Sequence, residues 1–291
     1  MKLLRFGEHG YERPGAIDDK GNIRDLSALV DDISPCTLSP GLLDRLKEAD
    51  LMTLPMVSAD VRIAEPVRSI RKFIAIGLNY YDHAKEVGAD IPKEPVIFMK
   101  ATSCIQGPND PVMIPRGAQK VDWEVELGIV VGKQARYVSP DNALEYVAGY
   151  CLVNDVSERN YQMDRGGTWD KGKGCDTFGP IGPWLVTTDE ISDPQNLDIW
   201  LDVNGERMQS GNTRTMIFDV RSLVSYVSEF MTLEPGDVIT TGTPPGVGLG
   251  MTPPRFLNAG DIVTLGISGL GAQRQEVVPF NHSASASAKQ P

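Results

Sequence analysis

Three acidic residues in two apolar runs have the types and spacing of a metal site. Glu124 and Glu126 lie two residues apart in the strand-like run 121–131, so their side chains point to the same face of a strand. Asp155 ends a second apolar run, residues 147–155. Three carboxylates suit Mg²⁺, Mn²⁺ or Ca²⁺ rather than zinc, and they leave coordination positions open for water or a chelating substrate. The alternative interpretation is a solvated strand face.

A histidine and a glutamate three residues apart form the second candidate group. His83 and Glu86 meet on one face if they belong to a short helix, with Asp82 as its N-cap and Gly88 closing its last turn. A carboxylate beside an imidazole orients the ring and raises its basicity, so His83 could take a proton from water. An exposed ion pair is the alternative. The other two histidines lie toward the ends of the chain.

Strand-like apolar runs are the elements that must hold these side chains. Besides the runs that carry the acids, strands are predicted at residues 73–78, 197–203, 238–241 and 261–267. The pair Asn204-Gly205 predicts a hairpin turn. One long helix is predicted to begin after its N-cap Asp219 and to end at residues 234–237. Residues 71–280 are therefore predicted to form a β-rich unit that carries the site.

The first 70 residues are predicted to form a separate small domain. Short strands are predicted at residues 3–6 and 15–18, and Ser39 before Pro40 predicts the start of a helix. Residues 281–291 are rich in Ser and Ala and have nothing to bury, so they are predicted to be a disordered tail. The predicted divisions of the chain are 1–70, 71–280 and 281–291.

The composition argues against several classes of function. The 291 residues carry a net charge of −11 and no basic tract, which argues against nucleic acid as a partner. No apolar stretch reaches the roughly 18–20 residues that span a bilayer. The N-terminus lacks the apolar core of a secretion signal. We therefore expect a cytoplasmic protein without a nucleic-acid or membrane partner.

Five short motifs, in this order, resemble those of the fumarylacetoacetate hydrolase family. They are residues 77–80 (Gly-Leu-Asn-Tyr) with His83 and Glu86, 123–127 (Trp-Glu-Val-Glu-Leu), 154–160 (Asn-Asp-Val-Ser-Glu-Arg-Asn), 173–180 (Lys-Gly-Cys-Asp-Thr-Phe-Gly-Pro) and 241–248 (Thr-Gly-Thr-Pro-Pro-Gly-Val-Gly). The resemblance implies an α+β fold, in which a β-rich mixed-sheet core of the family's type follows a small N-terminal α+β domain. It also implies a homodimer.

The resemblance also implies roles for particular residues. Glu124, Glu126 and Asp155 would bind Mg²⁺, for which Mn²⁺ can substitute. The side chains implied to hold a small 2-oxo acid substrate are Arg159, Gln162, Lys173 and Thr243. Without the resemblance, Arg159 could be an exposed ion-pair residue, Gln162 polar surface and Thr243 a turn residue. Candidates for contact with the far end of the substrate are Tyr80, Met163, Trp169 and Asp170.

These residues suit the hydrolysis of a 2,4-dioxo acid. Its carboxylate and 2-oxo oxygen can chelate a cation, while Arg159 and Lys173 add positive charge at the same end. His83, oriented by Glu86, would deprotonate a water that attacks C4, so that the C3–C4 bond breaks and a pyruvate enolate leaves. Glycine and proline flank residues 80–93, which predicts a cover that opens over the site.

The family resemblance leaves several activities open. The N-terminal unit, the long segment 157–173 and the intact His83–Glu86 pair are most similar to hydrolases of 2,4-diketo-3-deoxy sugar acids. The predicted reaction therefore converts 2,4-diketo-3-deoxy-L-rhamnonate or -fuconate to pyruvate and lactate. The alternatives are an acylpyruvase, an oxaloacetate decarboxylase, and an isomerase or decarboxylase of a hydroxymuconate pathway. An alternative of another class is a ligand-binding protein without turnover.

Overall fold

A computed structural model describes residues 1–86 and 88–280. Within these ranges the chain forms nineteen short strands and five α-helices. The strands, numbered along the chain, are β1 (Lys2–Phe6), β2 (Arg13–Ile17), β3 (Ile23–Asp25), β4 (Ile63–Ala64), β5 (Phe73–Gly77), β6 (Val96–Lys100), β7 (Ile105–Gln106), β8 (Val112–Met113), β9 (Val121–Asp122), β10 (Val125–Val131), β11 (Val147–Asn154), β12 (Ser157–Glu158), β13 (Gly179–Pro180), β14 (Leu185–Thr187), β15 (Asp198–Val203), β16 (Glu206–Asn212), β17 (Val238–Thr240), β18 (Ile262–Ile267) and β19 (Gly271–Val278). The helices are α1 (Pro40–Glu48), α2 (Tyr81–Glu86), α3 (Arg159–Met163), α4 (Asp170–Lys173) and α5 (Val220–Phe230). The predicted tail, residues 281–291, lies outside the described residues. None of the helices in the described ranges has the length and apolar character of a membrane-spanning segment.

Ten of the strands form one large mixed sheet. Its order is β3-β2-β1-β14-β11-β10-β17-β5-β6, with β4 paired to β1. Strand β10 is antiparallel to β11 and to β17, whereas β17 is parallel to β5. Five further strands form a second sheet in the order β16-β15-β18-β19-β8. The predicted α+β class with a β-rich mixed-sheet core is confirmed.

Strand β1 joins the N-terminal part of the chain to the rest of the molecule. Its residue Leu3 pairs with Leu185 of β14, so the predicted N-terminal strands extend one end of the large sheet. Helix α1 begins after Ser39 with Pro40 in its first turn, as the sequence predicts. The domain boundary near residue 70 stays a prediction, since one sheet includes strands from both sides of it.

The two strands that position the acids lie in the middle of the large sheet. Every residue of β10 and β11 is buried, which explains why their sequences read as continuous apolar runs rather than alternating ones. Helix α5 begins at the predicted N-cap Asp219, whose side chain accepts a hydrogen bond from the N–H of Ser222. It ends earlier than predicted, at Phe230, because Met231 has an extended backbone.

Candidate active site

Glu124, Glu126 and Asp155 form a buried cluster of carboxylates. One carboxylate oxygen from each lies within 4.8 Å of the others, and all three side chains are buried. Antiparallel pairing brings them together: Val125 lies opposite Asn154, and the N–H of Asp155 donates to the carbonyl oxygen of Glu124 at 2.8 Å. The alternative of a solvated strand face is therefore wrong.

Glu126 has an unusual environment for a carboxyl group. Burial raises the pKa of Glu126 well above its usual range, and the charges of Asp155 and Glu124 raise it further. Its Oε2 accepts hydrogen bonds from the hydroxyl of Thr240 and from the N–H of Gly242. Like charges this close repel one another, and a bound cation would relieve the repulsion.

Two buried lysines neutralise part of this negative charge. Nζ of Lys173 lies 2.7 Å from Oε2 of Glu124 and 2.7 Å from Oδ2 of Asp155. Burial would lower the pKa of Lys173, but these acids raise it. Nζ of Lys100 donates to Oδ1 of Asp155 at 2.6 Å and to the carbonyl oxygens of Val156 and Lys173. Sequence reasoning missed Lys100, because one lysine at the end of a strand belongs to no motif.

Arg159 is held between acidic and amide side chains. Its Nε donates to Oδ2 of Asp122 at 2.8 Å, and its Nη1 donates to Oε1 of Gln162 at 3.0 Å. Its Nη2 lies 2.8 Å from Oδ2 of Asp122 and from Oε1 of Glu124. Asp122 also accepts hydrogen bonds from the N–H groups of residues 248 and 249, so it joins Arg159 to that loop. Arg159 and Gln162 are buried, so the surface interpretations of both are wrong.

The run 121–131 forms two strands rather than the single predicted strand. The break lies between β9 and β10, where the N–H of Glu124 donates to the side chain of Asn154 instead of to the backbone of a neighbouring strand. Trp123 is fully buried at the break, and its indole N–H donates to the carbonyl oxygen of Gly246. Side chains thus replace part of the backbone pairing, which the alternation of residue types does not reveal.

His83 and Glu86 form the predicted pair on helix α2. Nδ1 of His83 lies 2.9 Å from Oε2 of Glu86. The two side chains are 9% and 19% exposed, so the alternative of a surface ion pair is wrong. Oε1 of Glu86 accepts a hydrogen bond from the N–H of Gly246 at 2.8 Å. Glu86 therefore contacts both the histidine and the loop that follows Thr243.

The ends of helix α2 agree only in part with the prediction. The N–H of Ala84 donates to the carbonyl oxygen of Tyr80, so helical hydrogen bonding starts before Asp82. Asp82 therefore lies in the first turn and is not the N-cap. Gly88 has a φ of +68°, a conformation that favours glycine, and its N–H donates to the carbonyl oxygen of Lys85. Gly88 closes the last turn as predicted.

Thr243 and Tyr80 differ in their relation to the site. Thr243 lines the cavity, and its hydroxyl donates to the carbonyl oxygen of Val125 and accepts from the side-chain amide of Gln209. Tyr80 is fully buried and is not among the residues that line the cavity. Within the described residues its hydroxyl has no hydrogen-bond partner, and burial together with the charge of Glu126 raises the pKa of Tyr80. Substrate contact by Tyr80 stays a prediction.

One cavity of about 570 Å³ is lined by two residues of the acid cluster, Glu124 and Glu126, and by the His83–Glu86 pair. Its polar and charged side chains include His83, Glu86, Glu124, Glu126, Arg159, Gln162, Lys173 and Thr243. Asp155 lies behind Lys173 and does not reach the cavity surface. Met163 and Trp169 line the cavity, and substrate contact by them stays a prediction, whereas Asp170 accepts a hydrogen bond from the N–H of Met99 and does not line the cavity.

The acid cluster fits a hard divalent cation. Its potential ligands are all oxygen atoms, as Mg²⁺ and Mn²⁺ prefer. Oxygens of Glu124 and Asp155 already converge on one positive group, the ammonium of Lys173. Two of the three acids therefore already favour positive charge between them.

Comparison with known proteins identifies the family. The family model described as fumarylacetoacetate (FAA) hydrolase C-terminal matches residues 72–278. A protein of Burkholderia orbicola (strain MC0-3), named as a candidate hydrolase, is 61% identical over 276 residues, which cover 94% of this chain and 98% of that protein. The solved fumarylacetoacetate hydrolase of Exiguobacterium antarcticum has a TM-score of 0.87 and 39% identity, covering 96% of this chain and 100% of that one. Maleylpyruvate hydrolase of Sphingobium sp. SYK-6 was solved with manganese(II) and pyruvate. It has a TM-score of 0.80 and 32% identity, covering 97% of this chain and 100% of that one.

The chain belongs to the fumarylacetoacetate hydrolase family. The family resemblance carried by the five sequence motifs is thus confirmed, and the fold is of the family's type.

Proposed function

We propose that this protein hydrolyses the C3–C4 bond of a 2,4-dioxo acid and that it uses Mg²⁺, or Mn²⁺ in its place. Membership of the family supports an enzyme of the hydrolase or isomerase type. The observation that carries the proposal is that Glu124 and Glu126 of the acid cluster line the same cavity as the His83–Glu86 pair. The manganese and pyruvate in the Sphingobium structure support the class of cation and product.

The anionic end of the substrate is assigned to the charged side of the cavity. Glu124, Glu126 and Asp155 would hold the cation. A cation bound there supplies Lewis-acid stabilisation of the negative charge that develops on the 2-oxo group. Arg159 and Lys173 add positive charge beside it, and their pairing with buried acids fixes them in place.

His83 is assigned as the general base. When its Nδ1–H is donated to Glu86, the lone pair on Nε2 is free to take a proton from water. The oxygen of that water adds to C4, and the electron pair of the C3–C4 bond passes to the pyruvate fragment. C3 then takes up a proton. The products are pyruvate and a carboxylic acid that contains C4.

Several finer predictions complete the proposal. The predicted sugar-acid substrates, 2,4-diketo-3-deoxy-L-rhamnonate and -fuconate, would give lactate as the carboxylic acid. A homodimer in the cytoplasm is predicted, and light scattering tests the homodimer. An oxaloacetate decarboxylase or an isomerase would use the same acid cluster without a water at C4. The His83–Glu86 pair is the observation that favours hydrolysis over these alternatives.

A coupled assay tests the proposal. Purified protein is incubated with 2,4-dioxo acids and with oxaloacetate, and released pyruvate is reduced by lactate dehydrogenase while NADH is followed. We expect release from a 2,4-dioxo acid with Mg²⁺ and none after EDTA. Release from oxaloacetate alone would support the decarboxylase instead, and binding of pyruvate without any turnover would support the ligand-binding protein.

A further inference from the structure

Besides its charged and polar side chains, the cavity is lined by apolar side chains. They include Leu78, Phe98, Met163, Trp169, Leu249 and Met251. Phe98 and Trp169 contact each other edge to face, with ring centroids 5.3 Å apart and planes at 63°. Apart from the eight polar and charged lining residues named above, the polar side chain of the lining is Thr252, which is exposed. We call the six apolar residues the distal wall.

The distal wall begins directly beside the charged end of the site. Nζ of Lys173 lies 5.2 Å from the ring centroid of Phe98. Trp169 continues the wall, and Gly77 leaves room for it, since a Cβ on Gly77 would lie 2.2 Å from the indole ring. A substrate whose carboxylate lies at Arg159 and Lys173 therefore directs the group attached to C4 toward aromatic and aliphatic surfaces.

The permanent positive charge of the cavity lining lies at the acid cluster. Among the described lining residues, the permanent cations are Arg159 and Lys173, and both are paired with acids of the cluster region. His83 is paired with Glu86. The distal wall has no cation for a second carboxylate, and the net charge of −11 does not favour a dianion. A carboxylate placed there would lose water and gain no partner.

We propose that the substrate carries an uncharged, apolar alkyl or aryl group beyond C4, seated against Phe98 and Trp169, in place of the hydroxyethyl group of the sugar acid that the family resemblance predicts. This proposal rests on the proposed function, because that function fixes which end of the substrate lies at the acid cluster. Burial of one methylene is worth about a fourfold gain in affinity. A hydroxyl that finds no hydrogen-bond partner on the wall costs about fivefold or more.

A matched series of substrates tests the proposal. The acids share the 2,4-dioxo end and differ at C4: 2,4-dioxopentanoate (methyl), 2,4-dioxohexanoate (ethyl), 2,4-dioxooctanoate (butyl), 4-phenyl-2,4-dioxobutanoate (phenyl), 5-hydroxy-2,4-dioxohexanoate (hydroxyethyl) and 2,4-dioxoheptanedioate (carboxyethyl). The hydroxyethyl compound is the predicted 2,4-diketo-3-deoxy-L-rhamnonate and differs from the ethyl compound by one oxygen. We expect kcat/KM to rise from methyl to butyl and phenyl. Ethyl should exceed hydroxyethyl by about fivefold or more. Equal or better turnover of the hydroxyethyl or carboxyethyl acid would overturn the proposal.

Calorimetric binding of the same acids with Mg²⁺ separates this proposal from the proposed function. If the acids bind in the expected order but release no pyruvate, the proposed reaction is wrong and the proposed apolar preference at C4 is right. If pyruvate is released without preference among the C4 groups, the proposed reaction is right and the proposed apolar preference at C4 is wrong.

A variant pair locates the preference. Trp169→Leu should lower the ratio of kcat/KM for the phenyl acid over the methyl acid about tenfold, because an aromatic contact and apolar area are lost. Trp200→Leu is the matched control, since Trp200 lies on β15 and does not line the cavity. The control should keep the wild-type ratio. The ratio does not depend on the folded fraction of either variant, so an unchanged ratio in Trp169→Leu contradicts the proposal.

Discussion

Glu86 accepts a hydrogen bond from the backbone N–H of Gly246 at 2.8 Å. Its other carboxylate oxygen lies 2.9 Å from Nδ1 of His83. One side chain therefore fixes the histidine and ties helix α2 to the loop after Thr243. The proposed base is thus positioned by a side chain that also lines the cavity.

Replacing the proposed base should separate binding from catalysis. We expect His83→Ala to retain Mn²⁺ and pyruvate binding and to lose at least about 100-fold in kcat, because a positioned base contributes typically 10²–10⁴-fold. Calorimetry measures binding, and the coupled assay measures turnover. His9→Ala, in an exposed position, is the control. Hydrolysis by His83→Ala at the wild-type rate would refute the role of the pair.

Removing one acid of the cluster should abolish cation binding. In wild-type protein, Mn²⁺ at 100 times its Kd should add about 2.7 kcal/mol of stability and raise Tm by about 5 °C. Glu126→Gln should remove that rise and all turnover. Its metal-free form should be at least as stable as the wild type at pH 7. The raised pKa of Glu126 means that the folded state disfavours its charged form. At pH values above the ordinary pKa of a glutamate, this lowers the free energy of unfolding of the wild-type protein.

Scanning calorimetry with and without Mn²⁺ measures this effect. Glu145→Gln, at an exposed position, should keep the full rise in Tm. An undiminished rise in Glu126→Gln would mean that the cation binds elsewhere.

Lys100 should stabilise the protein even though it does not line the cavity. Lys100→Met leaves Oδ1 of Asp155 and two carbonyl oxygens without their donor. Breaking a buried charge pair costs about 3–5 kcal/mol of unfolding free energy. Urea denaturation measures the loss, with the exposed Lys133→Met as the matched control. A variant with wild-type stability would show that this buried pair contributes nothing net.

Asp122 should act on the substrate through Arg159. Asp122→Asn keeps one acceptor oxygen, for the N–H of Gly248, but it loses the second oxygen and the charge that holds the guanidinium. We expect pyruvate binding to weaken about tenfold, since a charge-assisted hydrogen bond is worth about 1.5–3 kcal/mol and part of it remains. Mn²⁺ affinity should stay within about threefold. Unchanged pyruvate affinity would contradict the positioning role.

Local signals in the sequence were sufficient for much of the fold. Ser39 with Pro40, the cap Asp219 and the turn at residues 204–205 depend on short-range chemistry, and each lies where predicted. The end of α5 and the cap of α2 were misplaced, because tertiary contacts decide which terminal residues stay helical. The interruption between β9 and β10 depends on side chains from elsewhere in the chain, which no local pattern reveals.

The candidate site was predictable where a motif carried it. The three acids, the His83–Glu86 pair and Arg159 belong to short motifs, and the structure brings them together. Lys100 and Gln209 reach the site only because distant strands pack beside it. The buried position of Tyr80 likewise depends on packing, so its sequence position alone could not place it relative to the cavity.

The most direct test of the central claim follows the oxygen of water. The reaction is run in H₂¹⁸O with Mg²⁺ and 4-phenyl-2,4-dioxobutanoate or whichever 2,4-dioxo acid is turned over fastest, and the carboxylic acid product is analysed by mass spectrometry. Attack of water at C4 predicts one ¹⁸O atom in the carboxyl group of that acid, with an equal amount of pyruvate. Release of CO₂, or a product of unchanged carbon skeleton, would contradict hydrolysis of the C3–C4 bond.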